Sequence, residues 1–140
     1  MIDLARFVQA LRALHGTPFH PQGRNAAGVD CAGLVLLALA EQGIDIEAPA
    51  DYAPSAAGAL LRLQLDGCPL LRERPAHDAP QPGDLLLFRV RAGRQPQHLA
   101  VLTEPGRMIH ATPLAGVREV TLSPLWADRL VAHYGWCDGR

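Results

Sequence analysis

The spacing of hydrophobic residues differs between the two halves of the chain. Before residue 68, apolar side chains recur at the spacing that places them on one face of an α-helix. After residue 83, they form short runs separated by turn residues, which is typical of strands in an antiparallel sheet. Helices followed by strands predict an α+β fold in which N-terminal helices pack on a C-terminal antiparallel sheet.

Three helices are predicted in the first half of the chain. Asp3 is placed to cap a helix over residues 4–14, and a second helix runs from residue 31 to about residue 42. A third helix, over residues 56–66, begins after Ser55, whose hydroxyl is a suitable cap.

The remaining segments are predicted as loops, a connector and strands. Residues 17–29 and 44–54 are interpreted as loops, and residues 68–83 as a connector because prolines recur through them. Strands are expected over residues 84–90, 98–103, 108–112, 117–122 and 130–136.

Composition excludes several classes of protein. The 140 residues and 49% hydrophobic content suit one compact domain, which we place at residues 1–140. A net charge of -1 gives no electrostatic basis for binding nucleic acid or an anionic membrane, and no apolar run approaches a bilayer-spanning length. The N-terminus has an early acid and no long apolar core, so we expect no signal peptide and synthesis in the cytoplasm.

Cys31 is the strongest chemical signal. It directly precedes the apolar run of residues 34–40, so it lies in the first turn of the second predicted helix. Unpaired backbone N–H groups and the positive end of the helix dipole favour a thiolate there. Cys68 and Cys137 are interpreted as inert packing residues, since free cysteines are usually buried, and an odd count of cysteines argues against a disulfide framework.

Two downstream histidines supply the other groups that cysteine-dependent amide hydrolysis needs. We assign His98, which opens a predicted strand, as the proton-transfer base, and His110 as the group that orients it. A simple two-residue turn at Pro105 and Gly106 would put the imidazoles on opposite faces of the sheet. We therefore expect a β-bulge, at Gly106, that brings them to one face.

Other interpretations of these residues are weaker. A zinc site formed by Cys31, His98 and His110 would have a spacing that is not typical of zinc ligands, so we expect no metal and no cofactor. His133, like the histidines outside the proposed site, is interpreted as a surface or loop residue because no partner for it is in view.

Four ordered motifs resemble those of the NlpC family, which are bacterial cell-wall cysteine peptidases with a papain-like core. They are DCAGL (30–34), GDLLLF (83–88), HLAV (98–101) and IHA (109–111), and residues 16–19 also match the family's opening loop. The resemblance extends from the first helix to about residue 122, and the motifs together are specific where any one alone would be weak.

The resemblance implies a papain-like fold and hydrolysis of the D-glutamyl–diaminopimelate amide in peptidoglycan stem peptides. Cys31 falls on the position of the nucleophile, His98 on that of the base, and His110 on the third polar position. Asp30 falls on an acidic position that the family associates with holding the free amino end of the stem peptide.

Two residues depart from the family pattern, and both departures affect the expected contacts with substrate. The family often has Tyr where this chain has Phe19, which lacks the hydroxyl that helps polarise the site; His20 or Gln22 is then a candidate donor. The family often has Ser after the nucleophile, and Ala32 removes that substrate contact.

The chain further resembles small, single-domain family members that are encoded with phage tail genes. Residues 88–91, 106–111 and 116–119 and Trp126 carry this second resemblance. It implies an enzyme that reaches peptidoglycan as part of a phage tail, with other tail proteins as partners.

Three alternatives stay open on the sequence alone. A non-enzymatic tail-assembly component is favoured by Phe19 and Ala32, and an amidase toxin of a secretion system would share the chemistry. A lipid acyltransferase of the related permuted group is disfavoured, because there a histidine precedes the cysteine, whereas here Cys31 precedes His98.

Overall fold

The computed structural model describes residues 1–46, 57–90 and 97–137. Helices in these ranges are α1 (Leu4–Ala13), α2 (Cys31–Ala40), α3 (Ala57–Gly67) and α4 (Pro124–Ala127). A small hairpin of β1 (Arg24–Asn25) and β2 (Gly28–Val29) precedes α2. The main sheet comprises β3 (Leu71–Glu73), β4 (Leu85–Phe88), β5 (His98–Glu104), β6 (Arg107–Thr112), β7 (Gly116–Thr121) and β8 (Leu130–Trp136).

The main sheet is antiparallel, with strand order β3-β8-β4-β5-β6-β7. Helices α1, α2 and α3 pack on one face, where the larger apolar core includes Phe7, Leu34, Leu65 and Val101. This arrangement confirms the predicted α+β fold. Among the described residues, no helix is both long and apolar enough to cross a membrane.

The opposite face of the sheet carries a second, smaller apolar cluster. Its members are Leu86, Phe88, Ala100, Leu102 and Met108. Trp126 of α4 packs against this cluster and is half-buried. Both faces of the central strands are therefore covered, which explains why β4 is a continuous apolar run and not an alternating one.

Asp3 caps α1 as predicted, since its side chain accepts a hydrogen bond from the Arg6 N–H at 3.1 Å. The prediction of residues 68–83 as a connector is wrong for Leu71–Glu73, which form β3 at the edge of the sheet and pair with β8. Prolines flank this short strand without interrupting it, and edge strands tolerate them. The predicted cap Ser55 lies outside the described residues.

A β-bulge at Thr103 sets the register of β5 against β6. Glu104 pairs with Arg107 across the turn, but the register shifts between Leu102 and Glu104. The prediction that a bulge is needed is confirmed, whereas its placement at Gly106 is wrong. Gly106 instead supplies the positive φ of 79° that the turn itself requires.

The first turn of α2 lies directly under the loop that carries the β1–β2 hairpin. A Cβ atom added at Gly33 would lie only 1.9 Å from the carbonyl oxygen of Gly23. The Cβ atom is fixed by the helix backbone and the Gly23 oxygen belongs to the loop backbone, so neither can rotate away. The glycine of the DCAGL segment is therefore required for the loop to approach the helix that carries Cys31.

We expect Gly33→Ala to lower the free energy of unfolding by about 1–3 kcal/mol, as overpacking against backbone does. Gly67→Ala is the matched control, because nothing lies within 4 Å of a Cβ at this helical glycine. Denaturant unfolding of both variants measures the difference. Equal stability of Gly33→Ala and wild type would contradict the close approach.

Candidate active site

Asp30 organises the start of α2. As the N-cap residue, it accepts a hydrogen bond through Oδ1 from the Gly33 N–H at 2.7 Å. The same oxygen accepts a hydrogen bond from the Arg24 guanidinium at 2.8 Å, and Oδ2 accepts one from the Gln22 N–H at 3.1 Å. One buried carboxylate therefore joins the hairpin loop to the first turn of the helix that carries Cys31.

Cys31 is the first residue of α2, and its thiol lies against the backbone of Leu99 in β5. Burial raises the pKa of the thiol to about 11. Hydrogen bonding to backbone groups of Leu99, Ala32 and Cys31 lowers the pKa but is outweighed. The helix-start N–H groups do favour the thiolate, but desolvation of the charged form outweighs them.

His98 and His110 lie on the face of the sheet that carries the second apolar cluster. His98 Nε2 and His110 Nδ1 are 2.7 Å apart, and the two residues are only 8% and 5% exposed. The thiol approaches β5 at Leu99, one residue after His98, so Cys31 and His98 converge at the beginning of this strand. The structure thus places the Cys31 thiol beside the start of β5 and pairs His98 with His110; that the three residues act together stays a prediction.

Both imidazoles are neutral at neutral pH. Burial lowers the pKa of His98, and the neighbouring His110 lowers it further. Burial also lowers the pKa of His110. A neutral pair shares one hydrogen across the contact, so when His98 Nε2 donates to His110 Nδ1, the Nδ1 atom of His98 is left as a free base.

The residues predicted to contact substrate lie on or beside the loop before α2. Phe19 is half-buried and forms a bridge with Val29. The Nδ1–H of exposed His20 donates to the Pro21 carbonyl at 3.0 Å, so this hydrogen of the predicted donor is already engaged. Gln22 is half-buried with a φ of 62°, a conformation that non-glycine residues seldom adopt.

Two interpretations of residues outside the site need correction. Cys68 and Cys137 are free, as is Cys31, but Cys137 is exposed because it lies just past the end of β8. His133 is buried because it pairs with Leu86 of β4, on the face of the sheet that carries the second apolar cluster. Within the described ranges, no three His, Cys, Asp or Glu side chains are grouped as a metal ion would require.

Two aromatic residues close to the histidine pair are absent from the predicted site. Phe88 and Trp126 have ring centroids 5.1 Å apart, and Trp126 lies 5.4 Å from the ring of His98. In the sequence, Trp126 contributes only to the phage-tail resemblance, and no motif links it to His98. Its proximity depends on α4, which is too short to show a helical periodicity.

Comparisons with known proteins agree on one family. A model of the NlpC/P60 family matches residues 16–134. The probable endopeptidase NlpC of Escherichia coli (strain K12) is 28% identical over 116 residues, which are 83% of this chain and 66% of that protein. The match therefore spans just under two thirds of the relative's length.

Solved structures show the same fold. An NlpC/P60 family protein from Bacillus cereus ATCC 10987 aligns with a TM-score of 0.70 and 22% identity, over 93% of this chain and 39% of its own. The NlpC/p60 domain of the peptidoglycan hydrolase SagA aligns with a TM-score of 0.67 and 20% identity, over 96% of this chain and 99% of its own.

We expect iodoacetamide to alkylate Cys31 slowly at neutral pH, with a rate that keeps rising towards pH 11, because only the thiolate reacts and the thiol pKa is about 11. Peptide-resolved mass spectrometry gives the rate at each pH. Exposed Cys137 in the same sample controls for reagent decay. A Cys31 rate that is already constant below pH 8 would show a resting thiolate and contradict the account.

Proposed function

This chain belongs to the NlpC/P60 family, whose members are generally cysteine peptidases and peptidoglycan hydrolases, and we propose from this that it hydrolyses the D-glutamyl–diaminopimelate amide of peptidoglycan stem peptides. Two observations support the proposal: a helix-start thiol lies against the strand residue that follows His98, and His98 is hydrogen-bonded to His110. Papain-like hydrolysis requires these three groups in this order: nucleophile, base and orienting group.

The reaction begins from neutral groups. His98 Nδ1 removes the proton from the Cys31 thiol as the sulfur attacks the amide carbonyl carbon. The resulting imidazolium is stabilised by donating its Nε2–H to His110, across the 2.7 Å contact. The Cys31 backbone N–H, at the open start of α2, stabilises the developing oxyanion.

The intermediate then collapses to a thioester. The C–N bond breaks, and His98 returns its proton to the departing amine of diaminopimelate. Water next attacks the thioester carbonyl and gives a proton to His98. The C–S bond breaks, the new D-glutamyl carboxylic acid leaves, and the Cys31 thiol is regenerated.

Recognition of the stem peptide is assigned to the loop above Cys31. Asp30 is proposed to attract the free amino end of the peptide, although its carboxylate also holds Arg24 and the Gln22 N–H. Phe19 and Ala32 contribute no hydroxyl, so polar contacts here come from the loop backbone and from Gln22.

A tail-associated setting is a further part of the proposal. It rests on the sequence of residues 106–111 and 116–119 and on Trp126. Detection of this chain in purified phage particles by mass spectrometry would support it, and its absence from particles of a phage that encodes it would oppose it.

We expect Cys31→Ala to abolish cleavage of purified diaminopimelate-type muropeptides, by about a thousandfold or more, while the protein stays folded. Mass spectrometry of the products identifies the bond that is cut. Cys137→Ala, which changes an exposed cysteine far from the histidine pair in sequence, is the control and should cleave like wild type. Near-wild-type cleavage by Cys31→Ala would exclude the proposed nucleophile.

We expect His110→Ala to lower kcat by about a hundredfold, because His98 loses the partner that orients it and stabilises its charge. His110→Asn should retain more activity, since its amide oxygen can accept the same hydrogen bond. Steady-state kinetics on the same muropeptides, with circular dichroism as a folding control, measure both effects. Unchanged kcat in His110→Ala would remove His110 from the mechanism.

A further inference from the structure

Two aromatic rings, those of Trp126 and Phe88, lie against the histidine pair on the face of the sheet away from α2. The centroid of the Trp126 indole lies 5.4 Å from His98 and 5.4 Å from His110. Its plane is tilted by 32° to His98, which is close to stacking, and by 82° to His110, which is edge-on. Phe88 contacts both Trp126 and His98, at 5.1 and 6.3 Å.

The position of Trp126 is fixed by the short helix α4. Ser123 caps this helix by accepting a hydrogen bond from the Trp126 N–H, and Pro124 occupies its first turn. The Arg129 N–H closes the turn by donating to the Trp126 carbonyl at 2.9 Å. These hydrogen bonds fix the backbone of Trp126, and contacts with Phe88 and the imidazoles fix its ring.

Hydrophobic packing alone does not account for this arrangement. Trp126 is only half-buried, and the second apolar cluster beneath it already contains Phe88 and Met108. The indole, itself partly exposed, instead contacts both members of the 2.7 Å hydrogen bond, whose own residues are buried. A buried hydrogen bond is stronger where water is excluded.

We propose that Trp126 is a positioning residue that covers the His98–His110 hydrogen bond, fixes the His98 ring by stacking and keeps water from the pair. Its ring contacts are with the two imidazoles and with Phe88. The consequence for rate rests on the hydrolytic function proposed above, whereas the consequence for the imidazoles does not.

The direction of the effect follows from the groups around His98. Burial is the larger cause of its lowered pKa and the nearby His110 is the smaller one, while Cys31 is the titratable group on the side of α2. The Phe88 and Trp126 rings carry no charge. Removing the indole admits water, so the His98 pKa should rise towards its ordinary value.

The test is NMR titration of the histidine ring protons in wild type, Trp126→Leu, Trp126→Phe and Leu125→Ala. We expect Trp126→Leu to raise the His98 pKa by about one unit or more, a tenfold change in proton affinity. Trp126→Phe should give a smaller rise in the same direction, because a smaller ring covers less of the pair. Leu125→Ala changes an exposed residue of the same helix and should match wild type.

The two proposals fail in different ways. An unchanged His98 pKa in folded Trp126→Leu would overturn the positioning role, and if that variant does not fold, an unchanged pKa in Trp126→Phe would do so. With muropeptide substrate, kcat/KM of Trp126→Leu should fall about tenfold and its acid limb should move to higher pH. A wild-type protein that shows the titration shifts but cleaves nothing would reject the hydrolytic function and leave the positioning role standing.

Discussion

The hydrogen bond between His98 and His110 is the interaction on which the site depends. It joins neighbouring strands and is possible only because Thr103 adds a residue to β5 and reverses the face on which His98 lies relative to His110. Without the bulge, strict alternation would direct one imidazole to the helical face and the other away from it. The register between β5 and β6 therefore decides whether His98, the proposed base, has His110 as a hydrogen-bond partner.

Cys31, the proposed nucleophile, is positioned by other contacts. Asp30 binds the start of α2 and the hairpin loop with a single carboxylate, and Gly33 lets the loop backbone approach the helix. The close packing of loop and helix desolvates the Cys31 thiol and raises its pKa, whereas burial lowers the pKa of His98. Both shifts favour a neutral thiol and a neutral imidazole, so the proton lies on sulfur in the resting site.

The sequence predicts the elements that depend on local patterns and misses those that depend on tertiary pairing. Periodicity and a cap identify α1 and α2, and Cys31 is located by its place before an apolar run. Strand β3 escapes prediction because its partner, β8, is remote in sequence. At Cys31 the sequence predicts the helix-start N–H groups that favour the thiolate, but it does not show the burial that outweighs them. Trp126 meets His98 only through the path of α4.

Trapping the acyl-enzyme tests the central claim most directly. A stem-peptide analogue with an aryl ester in place of the scissile amide acylates faster than it deacylates, so the intermediate accumulates for acid quenching and peptide mapping. We expect a mass increase equal to the D-glutamyl acyl portion on the peptide that contains Cys31, formed more slowly in His98→Ala. Turnover of the analogue with no adduct on Cys31, or with the adduct on another residue, would contradict the account.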